Sequence, residues 1–175
     1  MEKFNKIKNQ LNYVSYQMPI YSSQRTVWDA LQKFGEIASF HDNVVSSGYI
    51  NDTEDFKINC ERYCEFQPQM GRIPIVKEKI IAIDSGVSYL IHFYEFENFP
   101  MNHMYIEFCI DEDFNLNNNV KASCWYQSKP KILTKLFTNK MRQTLKEILL
   151  GYRHYIETGE KNVDMKHLKK EYKIL

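Results

Sequence analysis

The sequence predicts an α+β fold in which a curved, seven-stranded antiparallel sheet wraps around one long C-terminal helix. Residues 130–156 indicate the helix, because their apolar side chains recur at helical spacing and basic side chains occupy the opposite side. The preceding residues indicate the sheet, because strand-like segments follow one another with short turns, as in an antiparallel meander. A helix of about 27 residues is roughly 40 Å long, so only a broad apolar surface can cover it.

The long helix has a recognisable start and a well-defined apolar face. Ser128 can cap it, Pro130 occupies a position where the first turn tolerates proline, and Gly151 is the only glycine in the run. The predicted apolar face, which should pack against the sheet, consists of Ile132, Leu133, Leu136, Phe137, Met141, Leu145, Ile148, Leu149, Tyr152 and Ile156.

The elements before the helix follow in chain order. A first strand is predicted at residues 11–20, and two short helices follow it at 26–34 and 35–41. Turns near 51–52 and 115–119 are among those that separate the later strands. Those six strands are predicted at residues 44–51, 55–66, 72–83, 87–96, 103–112 and 119–127.

The two ends of the chain carry little apolar pattern. Residues 1–10 are polar and basic, and we expect them to be frayed or loosely docked. Residues 158–175 are charged, and we expect a short helix or a mobile tail there, solvated rather than in contact with a protein or membrane. The organisation predicted is therefore a single domain over residues 1–157, followed by a charged C-terminal tail over 158–175.

Composition argues against several classes of function. The formal net charge is +1 at pH 7, which gives no electrostatic reason for nucleic-acid binding. No apolar run approaches the roughly 20 residues that a membrane span requires, so we expect no integral membrane association. The N-terminal residues lack the apolar core of a secretion signal, so we expect a cytoplasmic protein.

The four cysteines resemble small apolar residues more than metal ligands. Cys60 and Cys64 lie four positions apart, but no second pair with loop geometry accompanies them, as a zinc site would require. The sequence offers no glycine-rich phosphate loop, no metal-binding motif and no Ser-His-Asp order. We therefore expect neither a metal ion nor a cofactor.

Glu78 is an informative polar residue of the predicted sheet. Its alternate neighbours Val76, Ile80 and Ala82 put its carboxylate on the apolar, concave face. Burying an unpaired charge is costly, so Glu78 should be hydrogen-bonded, paired or protonated. One interpretation is an ion pair with Arg62 or a lysine that has no chemical role; the other is a role in ligand binding or catalysis.

Several motifs, taken in order, resemble one superfamily. Over residues 11–157 the order of elements and motifs resembles the polyketide cyclase/dehydrase and lipid-transport branch of the START/birch-pollen-allergen superfamily (SRPBCC). The resemblance implies a helix-grip fold with a cavity between sheet and long helix. It implies no single activity, because members include lipid and hormone carriers, hormone receptors and ring-closing enzymes. The motifs are Val27-Trp28-Asp29-Ala30-Leu31 with Phe34-Gly35, Arg62, Gly71, Glu78 with Asp84, Pro100-Met101-Asn102, and Trp125.

The resemblance also implies which side chains face the cavity. Glu78 looks like a cavity-facing glutamate of the abscisic-acid receptors in this superfamily. His41 falls near the position of the lysine that binds the ligand carboxylate in those receptors. A histidine titrates near neutral pH whereas a lysine is normally charged, which argues against strong binding of an acid. Arg62 is expected to face inward through the alternation of its strand, and Trp125 by analogy.

The strand predicted at 103–112 has two competing phases. The family pattern puts His103 and Tyr105 inward, and we favour it. The alternate residues form the more apolar phase, and they are Met104, Ile106, Phe108 and Ile110. One phase is wrong unless a bulge shifts the register. Met141 and Leu145, on the long helix, are expected to form one wall of the cavity.

Three functions are compatible with these patterns. The leading hypothesis is binding or transport of a small hydrophobic molecule or lipid, because an aromatic-rich cavity with few polar groups favours affinity. The second is a cyclase- or dehydratase-type enzyme for a polyketide-like or aromatic substrate, with Glu78 as acid or base and His41 or His103 as its partner. The third is a partner-binding module with a filled interior and no ligand, which would be able to form a homodimer.

Overall fold

A computed structural model describes residues 1–50, 55–112 and 118–173 of the chain. Its strands are β1 (Asn12–Ile20), β2 (Val44–Tyr49), β3 (Glu61–Phe66), β4 (Ile75–Asp84), β5 (Ser88–Glu97), β6 (Met101–Glu112) and β7 (Asn118–Ser128). They form one antiparallel sheet in the order β1-β7-β6-β5-β4-β3-β2, which confirms the predicted sheet. The turn predicted at 51–52 lies outside the described residues, as does most of the one at 115–119.

The helices lie before, between and after the strands. The two short helices predicted after β1 are present, the second of them as a 3-10 helix at Phe34–Ser39. Ser23 caps the first, because its side-chain oxygen accepts a hydrogen bond from the amide of Thr26. The α-helices of the described residues are α1 (Glu2–Ile7), α2 (Gln24–Leu31), α3 (Thr138–Thr158) and α4 (Met165–Glu171).

The long helix α3 packs on one face of the sheet, which we call the inner face; the opposite face is the outer face. Leu145, Leu149 and Leu150 of α3 are buried in the main hydrophobic core together with residues from the sheet and from α2. This arrangement of a long C-terminal helix against a seven-stranded sheet confirms the predicted α+β, helix-grip fold.

Strand β3 begins later than the sequence predicts. The predicted strand covered 55–66, whereas β3 begins at Glu61. Asn59, just before it, has a φ of 67°, in the left-handed region that an extended strand does not use. The pairing of β3 with β4 places Arg62 directly opposite Glu78, and this register positions the candidate site.

The predicted long helix consists of two parts with different winding. Lys131–Phe137 forms a 3-10 helix, and α3 follows it directly. Side chains three positions apart are eclipsed in a 3-10 helix, so the buried Thr134 and the half-buried Phe137 share one side. Ile132 and Leu136 are 86% and 76% exposed. Their predicted place on the packed apolar face is wrong, because that prediction applied one helical period to both parts.

Gly151 allows α3 to approach the preceding layer closely. A Cβ atom at this position would lie 1.7 Å from the carbonyl oxygen of Phe40, a separation that no side chain tolerates. The Phe40 ring packs on the same helix, with centroid distances of 4.9 Å to Tyr152 and 4.8 Å to Tyr155. Gly151 therefore permits a close contact between α3 and the backbone at Phe40.

The N-terminal residues dock on the outer face of the sheet. Phe4 of α1 is buried, and its ring centroid lies 4.8 Å from that of Tyr105 and 5.1 Å from that of Trp125. Of the two expectations for this terminus, frayed or loosely docked, the structure supports docking, because the buried Phe4 is joined by the partly buried Ile7 and Leu11.

Part of the charged C-terminal segment also packs on the domain. Asp164 caps α4, because its side chain accepts a hydrogen bond from the amide of His167. Met165 and Leu168 of α4 are buried in the main core. The short helix, one of the two expectations for this segment, is therefore present as α4, but it packs on the domain and is not a solvated tail. The division of the chain at residue 157 stays a prediction.

Candidate functional site

A cavity of about 320 Å³ lies between the inner face of the sheet and the N-terminal half of α3. Its wall is predominantly apolar, and sheet, helix and turns all contribute to it. The apolar lining consists of Ile37, Val44, Phe66, Ile91, Phe93, Phe99, Pro100, Met101, Met104, Ile106, Phe108, Phe137, Met141, Leu145 and Ile148.

The cavity reaches the surface at the end of the sheet where β3, β5 and β7 end. Exposed polar residues form its rim there, and they are Asn43, Gln67, Gln69 and Lys140. Polar groups deeper in the wall are few, and these buried ones are His41, Arg62, Cys64, Glu78 and Cys124. A mainly apolar cavity with a few convergent polar groups is the usual form of a small-molecule site.

Arg62 and Glu78 form a buried ion pair on the inner face. The Nε atom of Arg62 donates to Oε1 of Glu78 at 2.7 Å, and both side chains are buried. The guanidinium also donates through Nη1 to the carbonyl oxygen of Phe34, and its Cζ lies 4.0 Å from the centroid of the Phe34 ring. These three contacts fix the position of the Arg62 guanidinium beside the Glu78 carboxylate.

The two charges of the pair stabilise each other, but one carboxylate oxygen has no hydrogen-bond partner among the described residues. Burial disfavours the charged guanidinium of Arg62, yet the adjacent Glu78 carboxylate outweighs burial and raises the pKa of Arg62 above its ordinary value. The second carboxylate oxygen, Oε2 of Glu78, is buried and accepts no hydrogen bond from any residue that the structure describes. Leaving a buried acceptor unpaired is costly, so this atom is a candidate acceptor for a hydrogen bond from a bound molecule.

Cys64 lies beside the ion pair and lines the same cavity. Its Sγ atom donates to Oε1 of Glu78 at 3.1 Å. Burial and the neighbouring carboxylate raise the pKa of the Cys64 thiol well above its ordinary value. The thiol therefore stays protonated near neutral pH, whereas a cysteine nucleophile needs the thiolate.

His41 reaches the cavity wall from the segment before β2. Its Nδ1 atom accepts a hydrogen bond from the amide of Asn43 at 3.2 Å, so the neutral ring carries its proton on Nε2. That Nε2 atom lies 3.9 Å from Oε2 of Glu147 on α3. Burial lowers the pKa of His41 despite the attraction of the Glu147 carboxylate. Glu147 in turn accepts hydrogen bonds from Gln143 and from Lys169 of α4.

Five of the predicted ligand-binding residues line the cavity: His41, Arg62, Glu78, Met141 and Leu145.

The other three do not. His103, Tyr105 and Trp125 are absent from the cavity wall, and the latter two pack on the outer face against Phe4. Met104, the neighbour of Tyr105, faces the cavity instead, so the more apolar phase of β6 is the correct one.

The wrong phase for His103 and Tyr105 has a structural cause. The pairing of β6 with β7 shifts by one residue between Met101 and His103, which is a β-bulge of the kind that the competing phases suggested. Tyr105 is buried beneath α1 and stacks on His92 at a ring-centroid distance of 4.6 Å. An aromatic residue on this strand therefore found an apolar environment on the outer face, which the strand pattern alone could not reveal.

Sequence reasoning missed two parts of the polar site. Cys64 shares the inward side of Arg62 by simple alternation along β3, a signal that was present in the sequence. The carbonyl oxygen of Phe34 comes from the 3-10 helix after α2 and reaches Arg62 only through the tertiary fold. A backbone acceptor carries no residue-type signal, so it could not be predicted.

Within residues 1–50, 55–112 and 118–173, no group of three or more His, Cys, Asp or Glu side chains is placed to hold a metal ion. No helix in the same part of the chain has the length and apolar character that crossing a bilayer requires.

The described site belongs to an α+β protein that holds an apolar cavity between a sheet and a long helix. Solved structures of low sequence identity share this helix-grip fold. Ara h 8.0201 matches with a TM-score of 0.69 at 12% identity, over 85% of this chain and 99% of its own. Ginseng major latex-like protein 151 from Panax ginseng matches with a TM-score of 0.66 at 17% identity, over 82% of this chain and 96% of its own.

An enzyme is among the similar structures. Norcoclaurine synthase from Thalictrum flavum matches with a TM-score of 0.65 at 12% identity, over 84% of this chain and 87% of its own. No protein-family model and no curated protein matches this chain. Likeness at such low identity establishes the fold alone, so the function has to be argued from the site.

Proposed function

We propose that this protein binds a small, mainly apolar molecule, such as a lipid, in the cavity between sheet and α3. The observation that carries the proposal is an apolar cavity of about 320 Å³ with one buried, unsatisfied carboxylate oxygen, Oε2 of Glu78, in its wall. Ligand pockets generally span roughly 300–1,000 Å³, so this one suits a small ligand.

The wall specifies the chemistry of the ligand. Its apolar body would contact the aromatic and methionine side chains of the sheet and α3. A hydroxyl or amine on the ligand would donate to Oε2 of Glu78 and so remove the cost of an unpaired buried acceptor. His41, whose Nε2 also has no hydrogen-bond partner among the described residues, would donate to a ligand acceptor. The expected ligand is therefore an apolar molecule with one or two polar substituents.

An enzymatic role for Glu78 has less support. A general acid or base has to exchange its proton with a substrate, whereas Oε1 of Glu78 is engaged by both Arg62 and Cys64. His103, one proposed partner, lies away from the cavity, which leaves His41. Norcoclaurine synthase is an enzyme by name, but 12% identity transfers its fold and not its chemistry. The ligand-free partner module has less support too, because it requires a filled interior.

Two further features remain part of the proposal. The four cysteines, all within the described residues, form no disulfide, which suits the cytoplasm as the proposed location. Association of two copies into a homodimer stays a prediction, and light scattering during size-exclusion chromatography would test it.

A fluorescence titration with an uncharged apolar probe, N-phenyl-1-naphthylamine, tests the proposal. Leu145→Trp places a large ring in the cavity, and we expect it to weaken probe binding at least about tenfold, equivalent to about 1.4 kcal/mol. The matched control is Val45→Trp, since Val45 is exposed and absent from the cavity wall. Circular dichroism checks that both variants are folded. Equal probe affinity in wild type and folded Leu145→Trp would contradict binding in this cavity.

A further inference from the structure

The 3-10 helix before α3 exposes apolar side chains that a soluble domain would be expected to bury. Ile132 is 86% exposed and Leu136 is 76% exposed, with Leu133 partly exposed beside them. Contiguous exposed apolar groups on a folded domain usually mark a contact surface. Thr134 and Phe137 already anchor the segment inward, so its outward apolar side has no partner in the domain.

A second exposed apolar segment lies at the same end of the molecule. The turn between β3 and β4 leaves Met70 fully exposed and Ile73 about half exposed. The antiparallel sheet brings this turn, the β5–β6 turn and the residues after β7 to one end. Hydrogen bonds connect them: Asn98 Nδ2 donates to the carbonyl of Ile73 at 3.1 Å, and the amide of Lys129 donates to that of Pro100 at 3.0 Å.

The stretch of chain that carries these exposed apolar groups is basic, although the exposed Glu97 at the end of β5 lies at the same end of the sheet. From residue 118 to residue 146 the chain contains no Asp or Glu. Four lysines surround the exposed apolar groups, and each is exposed: Lys129, Lys131, Lys135 and Lys140. None of the four forms an ion pair with a carboxylate within the described residues. Apolar groups interleaved with lysines are typical of surfaces that contact anionic lipid.

This surface adjoins the mouth of the cavity. Phe137 closes the 3-10 helix and also lines the cavity, as do Lys140 and Met141 of the first turns of α3. From the other side, Gln69 in the β3–β4 turn forms part of the rim. A flat partner that covered the exposed apolar groups would therefore face the cavity entrance.

We propose that this end of the molecule docks on an anionic lipid bilayer. Ile132, Leu133 and Leu136 would enter the headgroup region, while the surrounding lysines contact lipid phosphates and carboxylates. The lysines around the 3-10 helix, with no Asp or Glu between residues 118 and 146, favour an anionic lipid surface as this occupant. The inference rests on the proposed function only for its purpose, which is to let an apolar ligand pass between bilayer and cavity; docking itself does not require it.

Vesicle flotation of the full chain tests the docking. The probes are vesicles of phosphatidylcholine alone and vesicles that also contain about one-third phosphatidylserine. We expect binding to the anionic vesicles and little binding to the neutral ones. Each lysine near an anionic surface contributes about fivefold in affinity, so Lys131→Gln/Lys135→Gln should weaken binding about 30-fold. Ile132→Ser/Leu136→Ser should abolish detectable flotation.

Matched controls make the same chemical changes elsewhere. Lys166→Gln/Lys170→Gln removes two charges from α4, and Ile58→Ser/Val87→Ser removes two exposed apolar groups at the opposite end of the sheet. We expect both controls to float like wild type. Docking at this surface is overturned if wild type fails to bind anionic vesicles, or if the controls lose as much binding as the test variants. A change in oligomeric state without vesicle binding would point to a protein contact and would also overturn it.

The probe titration separates this inference from the proposed function. The four surface variants should bind N-phenyl-1-naphthylamine with wild-type affinity, because none of the altered residues lines the cavity. Vesicle binding without any probe binding would contradict the cavity function and leave docking intact. Probe binding without vesicle binding would contradict docking and leave the cavity function intact.

Discussion

The apolar side chains on the two faces of the sheet are covered in different ways. Both carry aromatic and aliphatic side chains that need cover. On the outer face, Phe4 of α1 fills the space over Tyr105 and Trp125. On the inner face, α3 covers the sheet but leaves about 320 Å³ beside a buried ion pair. The proposed ligand site therefore lies where the chain does not cover its own apolar surface.

Each face also holds a buried polar atom without a hydrogen-bond partner among the described residues. On the outer face it is the hydroxyl of Tyr105, whereas the cavity on the inner side has two, Oε2 of Glu78 and Nε2 of His41. A neutral hydroxyl costs less to bury unpaired than a carboxylate oxygen does. The inner face therefore carries the stronger demand for an external partner.

Breaking the inner ion pair should have the largest effect. Glu78→Ala leaves the Arg62 guanidinium buried without its carboxylate, and we expect a loss of about 4 kcal/mol in the free energy of unfolding. Urea denaturation followed by circular dichroism measures it. The double variant Arg62→Met/Glu78→Leu removes both charges and should recover most of the loss. Equal destabilisation in the single and double variants would mean that shape, rather than charge, dominates this site.

Adding one carbon should distinguish the packed part of the inner face from the cavity. Gly151→Ala forces a Cβ atom against the carbonyl of Phe40, and we expect a cost of about 3 kcal/mol from overpacking. Val44→Ile adds one carbon at the cavity wall, where space is present, and should cost less than about 0.5 kcal/mol. Thermal and urea unfolding measure both. Similar costs for the two variants would contradict an unfilled cavity.

Removing the outer cover should destabilise the protein without affecting ligand binding. Phe4→Ala gives up the burial of one aromatic side chain, and we expect a loss of about 2 kcal/mol. The dissociation constant for N-phenyl-1-naphthylamine should stay at the wild-type value, because α1 and the cavity lie on opposite faces. A several-fold weaker probe affinity in Phe4→Ala would mean that the two faces are coupled.

The smallest expected effect concerns acid sensitivity. Burial, together with the nearby cations Lys3 and Lys79, lowers the pKa of His92 on the outer face to about 4. The unfolded chain takes up this proton near the ordinary value of 6.5, so the stability is present above that pH and is lost as pH falls from 6.5 towards 4. His41 on the inner face acts in the same direction.

Unfolding of His92→Asn at pH 7 and pH 5 checks this. We expect the variant to lose less stability between these pH values than wild type, by under about 1 kcal/mol, since water reaches part of the ring. The exposed His167→Asn on α4 serves as the control and should lose as much as wild type. An unchanged pH dependence of stability in His92→Asn would contradict the lowered pKa of His92.

The fold was largely predictable because its signals are local. Alternation marked the strands, short turns implied the antiparallel order, and one amphipathic run marked α3. The inward positions of Arg62 and Glu78 followed from the same alternation, since both lie in regular paired strands. These patterns can be recognised without knowing which elements pack together in the fold.

The failures arose where the tertiary structure overrides a local pattern. Tyr105 was predicted inward because nothing in its strand showed that Phe4, about 100 positions earlier, would cover the outer face. Ile132 and Leu136 were assigned to the packed face because a 3-10 segment and an α-helix look alike in sequence. Leu168 was read as part of a solvated tail, since two buried residues among many charges give little periodicity.

Native mass spectrometry of the protein as purified from cells shows whether the cavity holds a small molecule. We expect a mass above that of the chain by one small apolar molecule, which organic extraction removes and which is depleted in folded Leu145→Trp but retained in Val45→Trp. A wild-type protein that carries no such molecule, and that acquires none when incubated with a lipid extract, would contradict this expectation.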